Sequence, residues 1–347
     1  MSSKTASEIR DIRLANPSMR ARDLARIHGF SEAELVAANV GTGVVAIKPD
    51  VGLLLNKLAG AGEIMVLTRN ESCVSEKIGP VERIEISPHA AMVIGEQIDL
   101  RIFPRHWRHG FAVERHDDKG NVHRSLQFFD AQGNALHKVH ARPRTDLTVW
   151  ADMVSALKLT EAADTISIEP AAPQAAFAES VDEAQLRQRW QSMTDTHQVF
   201  GLLRELRLSR LQAVRALGQE LAWELDHAAV EALFNRAASE AVPLMVFVAN
   251  PGCTQIHGGP VKTIKMMGPW LNVMDPTFHM HLRLDQISEA WVVRKPTQDG
   301  VLTTIELFDA AGEVILQMFG QRGRGQAEPQ NWRRLAEGLP LKLERSA

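Results

Sequence analysis

The chain of 347 residues contains no tyrosine, so phenolate is excluded as a metal ligand or general acid. It has only two cysteines, Cys73 and Cys253, too few for a disulfide framework and in keeping with a reducing compartment. No apolar run approaches the roughly 20 residues of a membrane span. The start, MSSKTASEIRDIR, is charged throughout and lacks the apolar core of a signal peptide. The expectation is a cytoplasmic protein that is not integral to a membrane. Charge of one sign is also lacking. Lys and Arg number 39 and Asp and Glu 42, a net −3, which argues against a nucleic-acid partner while leaving room for a local basic pocket. HExxH, CxxC, P-loop and GxGxxG patterns are missing, as is a nucleophile elbow.

What the chain does contain is itself, twice. Under a shift of 180, Asn70, Cys73, Gly79, Pro80, Val81 and Ile84 land on Asn250, Cys253, Gly259, Pro260, Val261 and Ile264, and Val113 lands on Val293. One deleted residue later, Phe129-Asp130-Ala131 and Gly133 land on Phe308-Asp309-Ala310 and Gly312. Near the start of each half the shift is 178, so that Leu24, Arg26 and Ser31 match Leu202, Arg204 and Ser209, and Met19 stands opposite His197. Cys73 and Cys253 occupy equivalent places, which reads as two buried small apolar residues rather than a bonded pair.

The pattern predicts an α+β fold, each lobe being helices followed by a large antiparallel β-sheet. Helices are expected over 8–40, with Ser31 and Glu34 as a capping box, and over 49–61 with Leu53, Leu54, Leu55 and Leu58 as the apolar face. Alternating strands fill 63–142, with hairpin turns at Asp118-Lys119-Gly120-Asn121 and Asp130-Ala131-Gln132-Gly133, and a helix around 146–158 closes the lobe. The second lobe repeats the plan with helices over 184–240, strands over 243–320 and a closing helix near 329–337. The Ala-, Pro- and Glu-rich stretch between them is a linker, giving an N-terminal repeat over 1–162, the linker over 163–183 and a C-terminal repeat over 184–347.

Three places stand out as candidate sites. His197, in Asp195-Thr196-His197, starts a helix that Asp195 or Thr196 caps, and His197, Phe200 and Arg204 share one face. The positive end of the helix dipole there suits a neutral ring nitrogen as a metal ligand, though a plain surface histidine fits the same pattern. Arg101 lies between Leu100 and Ile102 on a strand, so it faces away from the core, either into a cleft where it can bind an anion or into solvent. The segment Gln317-Met318-Phe319-Gly320-Gln321-Arg322-Gly323-Arg324-Gly325 mixes glycines with arginines, and with Arg294-Lys295-Pro296 it suggests a carboxylate clamp or, more simply, solvated strand ends. His279 and His281 have a spacing that permits zinc but no third ligand.

A series of strings in fixed order resembles a known family. They include Ala21-Arg22-Asp23-Leu24-Ala25, Ser31-Glu32-Ala33-Glu34-Leu35, Thr68-Arg69-Asn70-Glu71, Asp99-Leu100-Arg101-Ile102-Phe103 and Gln127-Phe128-Phe129-Asp130. In the second half they are Met193-Thr194-Asp195-Thr196-His197-Gln198, Arg294-Lys295-Pro296-Thr297 and Phe319-Gly320-Gln321-Arg322. From about residue 8 to 335 the chain is similar to the bacterial cytoplasmic haem-utilisation family, haem-trafficking and haem-degrading proteins of the HemS, ChuS, PhuS and HmuS type. The resemblance implies tandem lobes with one haem (iron protoporphyrin IX) beside the second. It implies His197 as axial iron ligand and Arg101 on the opposite haem face, the catalytic candidate of degrading members. Arg210, Lys295 and Arg322 then belong near the propionates or the haem edge, with Gln317 in the same binding set. Phe200, Phe247 and Phe319 supply apolar wall. The implied partners are haem and either a haem oxygenase or the cytoplasmic face of a haem ABC importer.

The chain departs from the pattern twice. Several members have histidine where Ser75 stands, linked to a second haem position in the first lobe, and many have tyrosine where Phe319 stands. Two functions remain open: a carrier of imported haem, or an enzyme that opens the macrocycle with O2 or peroxide and external electrons. A pure interaction protein is the third class.

Overall fold

The computed structural model describes residues 4–171, 176–323 and 325–342. Arg324, residues 172–175 of the expected linker and residues 343–347 lie outside them. The fold is α+β with a tandem repeat. Each half runs through three short helices, one strand, a further helix, eight strands and a closing helix.

The strands form two nine-stranded sheets. One is ordered Val44–Ile47, His109–His116, Val122–Phe129, Ala135–Thr145, Gly62–Arg69, Cys73–Gly79, Phe278–Arg283, Trp270–Met274, Ile264–Met267. The other is ordered Ala222–Leu225, Glu289–Thr297, Gly300–Phe308, Val314–Gly320, Leu244–Asn250, Cys253–Gly259, Asp99–Ile102, Ala91–Ile94, Arg83–Ile86. The two orders are the same order applied to equivalent strands.

Two compact units follow the repeat, except that each takes a short segment from the other half. The first comprises Met1–Arg69, Glu76–Ala172 and Ala249–Gln255, and the second comprises Asn70–Ser75, Pro173–Val248 and Ile256–Ala347. The borrowed segments are well held. In the first unit Trp107 Nε1 donates to Gly252 O at 3.0 Å, and Asn250 Nδ2 donates to Leu136 O at 2.8 Å. In the second, Asn70 Nδ2 donates to Ile315 O at 2.6 Å and Arg283 N donates to Ser72 O at 2.9 Å. The cysteines sit on these segments as buried free thiols, Cys253 in the core of the first unit and Cys73 in that of the second.

In the first unit Val51, Leu54, Leu55 and Leu58 of one helix and Trp150, Met153 and Leu157 of the closing helix cover Ile64, Val66, Leu126, Phe128 and Val139 of the sheet. Leu53, expected on that face, is half-buried, because a 3.6-residue period aligns Val51 with Leu54, Leu55 and Leu58. The second unit repeats this arrangement with the helices Ala228–Ser239 and Gln330–Glu337 on Val246, Val292, Ile305, Leu316 and Met318. The other sheet face of each unit meets the short N-terminal helices. Ser31 and Ser209 start equivalent helices, and each hydroxyl accepts the amide of Glu34 or Gln212 at 3.1 Å in equivalent capping boxes. The expected helical stretch 184–240 is interrupted by the strand Ala222–Leu225, which pairs antiparallel with Ala290–Val293. Among the described residues no helix is long and apolar enough to cross a membrane.

Candidate functional site

The turn before the helix Gln198–Leu206 is fixed at both ends. Thr194 N donates to Gln198 Oε1 at 2.8 Å, and Gln298 N donates to Thr194 O at 2.9 Å, which ties the turn to the hairpin at Thr297–Gly300. The helix begins directly behind His197, one or two residues later than the sequence suggests. Asp195 still does a cap's work, since its Oδ1 accepts His197 N at 2.7 Å and lies 2.6 Å from His197 Nδ1. These bonds from His197, amide first, hold the Asp195 carboxyl below the usual carboxylate range, and the nearby Arg322 charge adds to them. With Nδ1 donating to a carboxylate, Nε2 keeps its lone pair free, as in metal-binding histidines. The His197 side chain is 84% exposed.

Beside His197 on the same helix face, Phe200 is 66% exposed, and a Cβ built on Gly201 would meet nothing within 4 Å. Arg204 is exposed too. A glycine inside a helix costs about 1 kcal/mol against alanine, and here it keeps the surface next to His197 low.

The second part of the site lies on the sheet. Glu306 is fully buried, and its carboxylate accepts both Arg210 Nε at 2.9 Å and Arg210 Nη2 at 2.6 Å while lying 2.7 Å from Lys295 Nζ. Burial alone would raise the Glu306 pKa, but Arg210 and Lys295 outweigh it and hold the carboxyl below its usual range. Burial pushes Lys295 down to about 8 in spite of Glu306. Lys295 Nζ stands 4.9 Å over the Phe319 ring, and Phe319 meets Phe247 edge-on at 5.1 Å between centroids. Gln317 is opposite both Glu306 and Phe247 in register, so all these side chains share one sheet face. Arg322, at the end of that strand, lies 3.7 Å from Asp299 and donates to Gln326 O at 2.7 Å.

Of the sequence candidates, the second unit therefore joins Arg210, Lys295, Phe247, Gln317 and Phe319 into one cluster, and sets Arg322 near the Asp195–His197 pair. Arg101 belongs to the first unit. Leu100 and Ile102 are buried as expected, and the half-exposed Arg101 guanidinium pairs with Asp99 and donates to Leu100 O at 3.0 Å. Ser75 is buried. His281 Nδ1 lies 2.6 Å from Asn272 Oδ1, and no cluster of metal-ligating residues is found among the described residues.

Sequence reasoning missed Glu306 and Gly201. Glu306 looks solvated in a list of charges, yet it stands between Ile305 and Leu307 on a central strand, where a carboxylate needs a cationic partner. Gly201 is marked only by being a glycine within a helix. The groups present suit haem: an accessible imidazole nitrogen on an anchored ring, low apolar surface beside it, and phenylalanines and cations for a macrocycle and its carboxylates.

Comparison with known proteins agrees with this chemistry. The model of the haemin-degrading HemS.ChuX domain matches twice, at residues 29–157 and 207–339. The hemin transport protein HemS of Yersinia enterocolitica is 39% identical over 320 residues, 92% of each chain. The structure of holo-PhuS, a heme-binding protein of Pseudomonas aeruginosa, superposes with a TM-score of 0.94 at 39% identity, covering 98% of this chain and all of that one (100%). The heme-degrading enzyme ChuS of Escherichia coli O157:H7 gives a TM-score of 0.89 at 34% identity, covering 97% of this chain and 100% of the other.

Proposed function

Because the chain belongs to the HemS.ChuX family of haemin-degrading domains, we propose that it is a cytoplasmic haem-binding protein of bacterial haem uptake, accepting imported haem for trafficking or breakdown. The observation that carries this reading is His197, exposed, with Nδ1 held by Asp195 and Nε2 free. His197 Nε2 is the iron ligand, and Asp195 fixes the ring orientation. Phe200, with the low surface at Gly201, takes the macrocycle. Phe247 and Phe319 add apolar wall, with Gln317 beside them. Arg322 meets a propionate. Arg210 and Lys295 exceed Glu306 by one positive charge, so that cluster stays attractive to carboxylates. Arg101, the distal candidate implied by the resemblance, would serve as a guanidinium donor to a ligand of the haem. When bound, haem supplies the redox-active iron and the macrocycle that O2 opens when electrons are provided. The protein partner in this reading is a haem oxygenase or the cytoplasmic face of a haem ABC importer.

A haem titration followed at the Soret band tests the site. The expected result is a sharp 1:1 endpoint in the wild type that is lost in His197→Ala, and equal binding in both would overturn the assignment. The second reading, a true haem-degrading enzyme, is favoured by the description of the family and of ChuS. Ascorbate with catalase present separates the two. A carrier keeps its Soret band, whereas an enzyme loses it and yields a linear tetrapyrrole. Arg101→Ala should retain binding but slow that loss.

A further inference from the structure

The sheet face that carries Lys295, Glu306, Gln317 and Phe319 has a counterpart in the first unit, and its chemistry is different. The repeat places Arg115 where the second half has Lys295, Gln127 for Glu306, Lys138 for Gln317, His140 for Phe319 and Leu67 for Phe247. The ladders confirm the equivalence: Lys138 is opposite Gln127 and Leu67, as Gln317 is opposite Glu306 and Phe247. From the covering helices, Glu32 replaces Arg210 and Arg22 replaces Phe200. The sign of the buried pair is thus inverted. The acid comes from a helix and the cations from the strands.

The numbers of charges do not balance. Arg69 pairs with Glu32, and Lys138 Nζ lies 3.7 Å from the same carboxylate. Asp23 acts on Arg22, which also feels Arg69. Arg69 and Lys138 therefore share one carboxylate, Glu32, and Arg115 adds a third positive charge beside them. Arg115 has no hydrogen-bond or ion-pair partner among the described residues. Its cross-strand neighbour His123 is already satisfied by Asp117 at 3.0 Å. This is no solvated fringe, because the side chains of Arg69 and Lys138 are only 12% and 16% exposed. Burial, with Arg69 and Arg115 adding repulsion, lowers the Lys138 pKa even against Glu32. Burial and then Arg69 bring Arg22 down to about 10. Two half-buried cations that share one carboxylate beside an exposed third are unfavourable unless a further anion joins them.

We propose that this face of the first unit binds a small multivalent oxyanion of the phosphate type, held by Arg69, Arg115 and Lys138. Two guanidinium forks and an ammonium on one sheet face, with the strand Val122–Phe129 between Arg115 and Lys138, match the several oxygens of such a group better than a single carboxylate does. The site does not depend on the haem reading, since it uses neither His197 nor the sheet cluster of the second unit.

The test is calorimetric titration of the full chain with sodium pyrophosphate at low ionic strength, beside Arg115→Gln, Lys138→Gln, His197→Ala and Arg322→Gln. The wild type is expected to show one saturable event. Arg115→Gln and Lys138→Gln should each weaken it on the order of tenfold, and the other two variants should leave it unchanged. Arg115 is exposed and unpaired, so its variant keeps the test decisive if Lys138→Gln folds poorly. Heats no larger than those of sodium chloride at equal ionic strength would overturn the proposal. So would loss of binding in Arg322→Gln but not in Arg115→Gln. Loss of a haem equivalent in Arg115→Gln would show that the site takes haem carboxylates instead.

Discussion

One backbone frame carries two different surfaces. In the second repeat the helix-and-sheet face presents His197, Phe200, Phe247 and Phe319, and its fully buried carboxylate, Glu306, is held by two cations. In the first repeat the same places hold Met19, Arg22, Leu67 and His140, and the buried carboxylate has moved to the helix as Glu32. The difference shows that the frame tolerates either polarity so long as helix and strand supply opposite signs. Function then rests on the few side chains around that pair. An exposed histidine with phenylalanines suits a flat apolar ligand carrying two acids. Surplus cations without the phenylalanines suit a small, highly charged one.

Removing the central acid should break the comparison most severely. Glu306→Ala leaves Arg210 and Lys295 buried without a partner, and urea denaturation is expected to show a loss of about 3–5 kcal/mol. Restoring opposite signs in the arrangement of the first repeat, with Glu306→Gln together with Arg210→Glu, should recover part of that loss, and no recovery would mean that the two frames are less alike than their ladders suggest. Next in size is the ring anchor. Asp195→Asn keeps the turn but weakens the hold on Nδ1, and haem affinity should fall by about tenfold in a Soret titration. An unchanged affinity would show that Asp195 does not orient the ligand.

A third difference is sensitive to acid. Burial keeps His137 neutral, with its pKa pushed down to about 3, and burial followed by repulsion from Lys138 brings His140 to about 4. Their counterparts, Leu316 and Phe319, do not titrate. Below the ordinary histidine pKa of about 6.5 the unfolded chain takes up protons that the folded chain refuses, so the first unit should lose stability as pH falls from about 6.5 towards 4 and should be unaffected by these groups above that range. Hydrogen exchange should show Ala135–Thr145 losing protection at a higher pH than Val314–Gly320, and His140→Phe should narrow the gap. Equal loss in both strands would contradict this assignment. The smallest expected effect is that of Gly201→Ala, which should raise apo stability by about 0.5–1 kcal/mol in thermal unfolding, with somewhat weaker haem binding.

Much of this was legible in the sequence because it depends on local chemistry. Ser31 with Glu34 and the Asp130–Gly133 turn each specify their own element. His197 was legible as well, since the repeat isolates it against Met19. Glu306 was not, because its partners come from 96 residues before it and from across a ladder, so only the register reveals a triad. Nor could local pattern say which core Cys73 joins. Its neighbours predict a buried strand, and which unit that strand completes is decided by pairing far along the chain.

That exchange has a consequence for how the protein is made. The first unit includes Ala249–Gln255, and Cys253 fills its interior. A nascent chain that has emerged only as far as residue 172 therefore holds all of the first repeat and still lacks a piece of its own core. At about 5–20 residues per second the missing piece follows seconds later. During that interval the first half is an unfinished shell with an open apolar interior, vulnerable to aggregation and in need of either a chaperone or speed. A gene cut after residue 172 would leave both halves in that condition permanently.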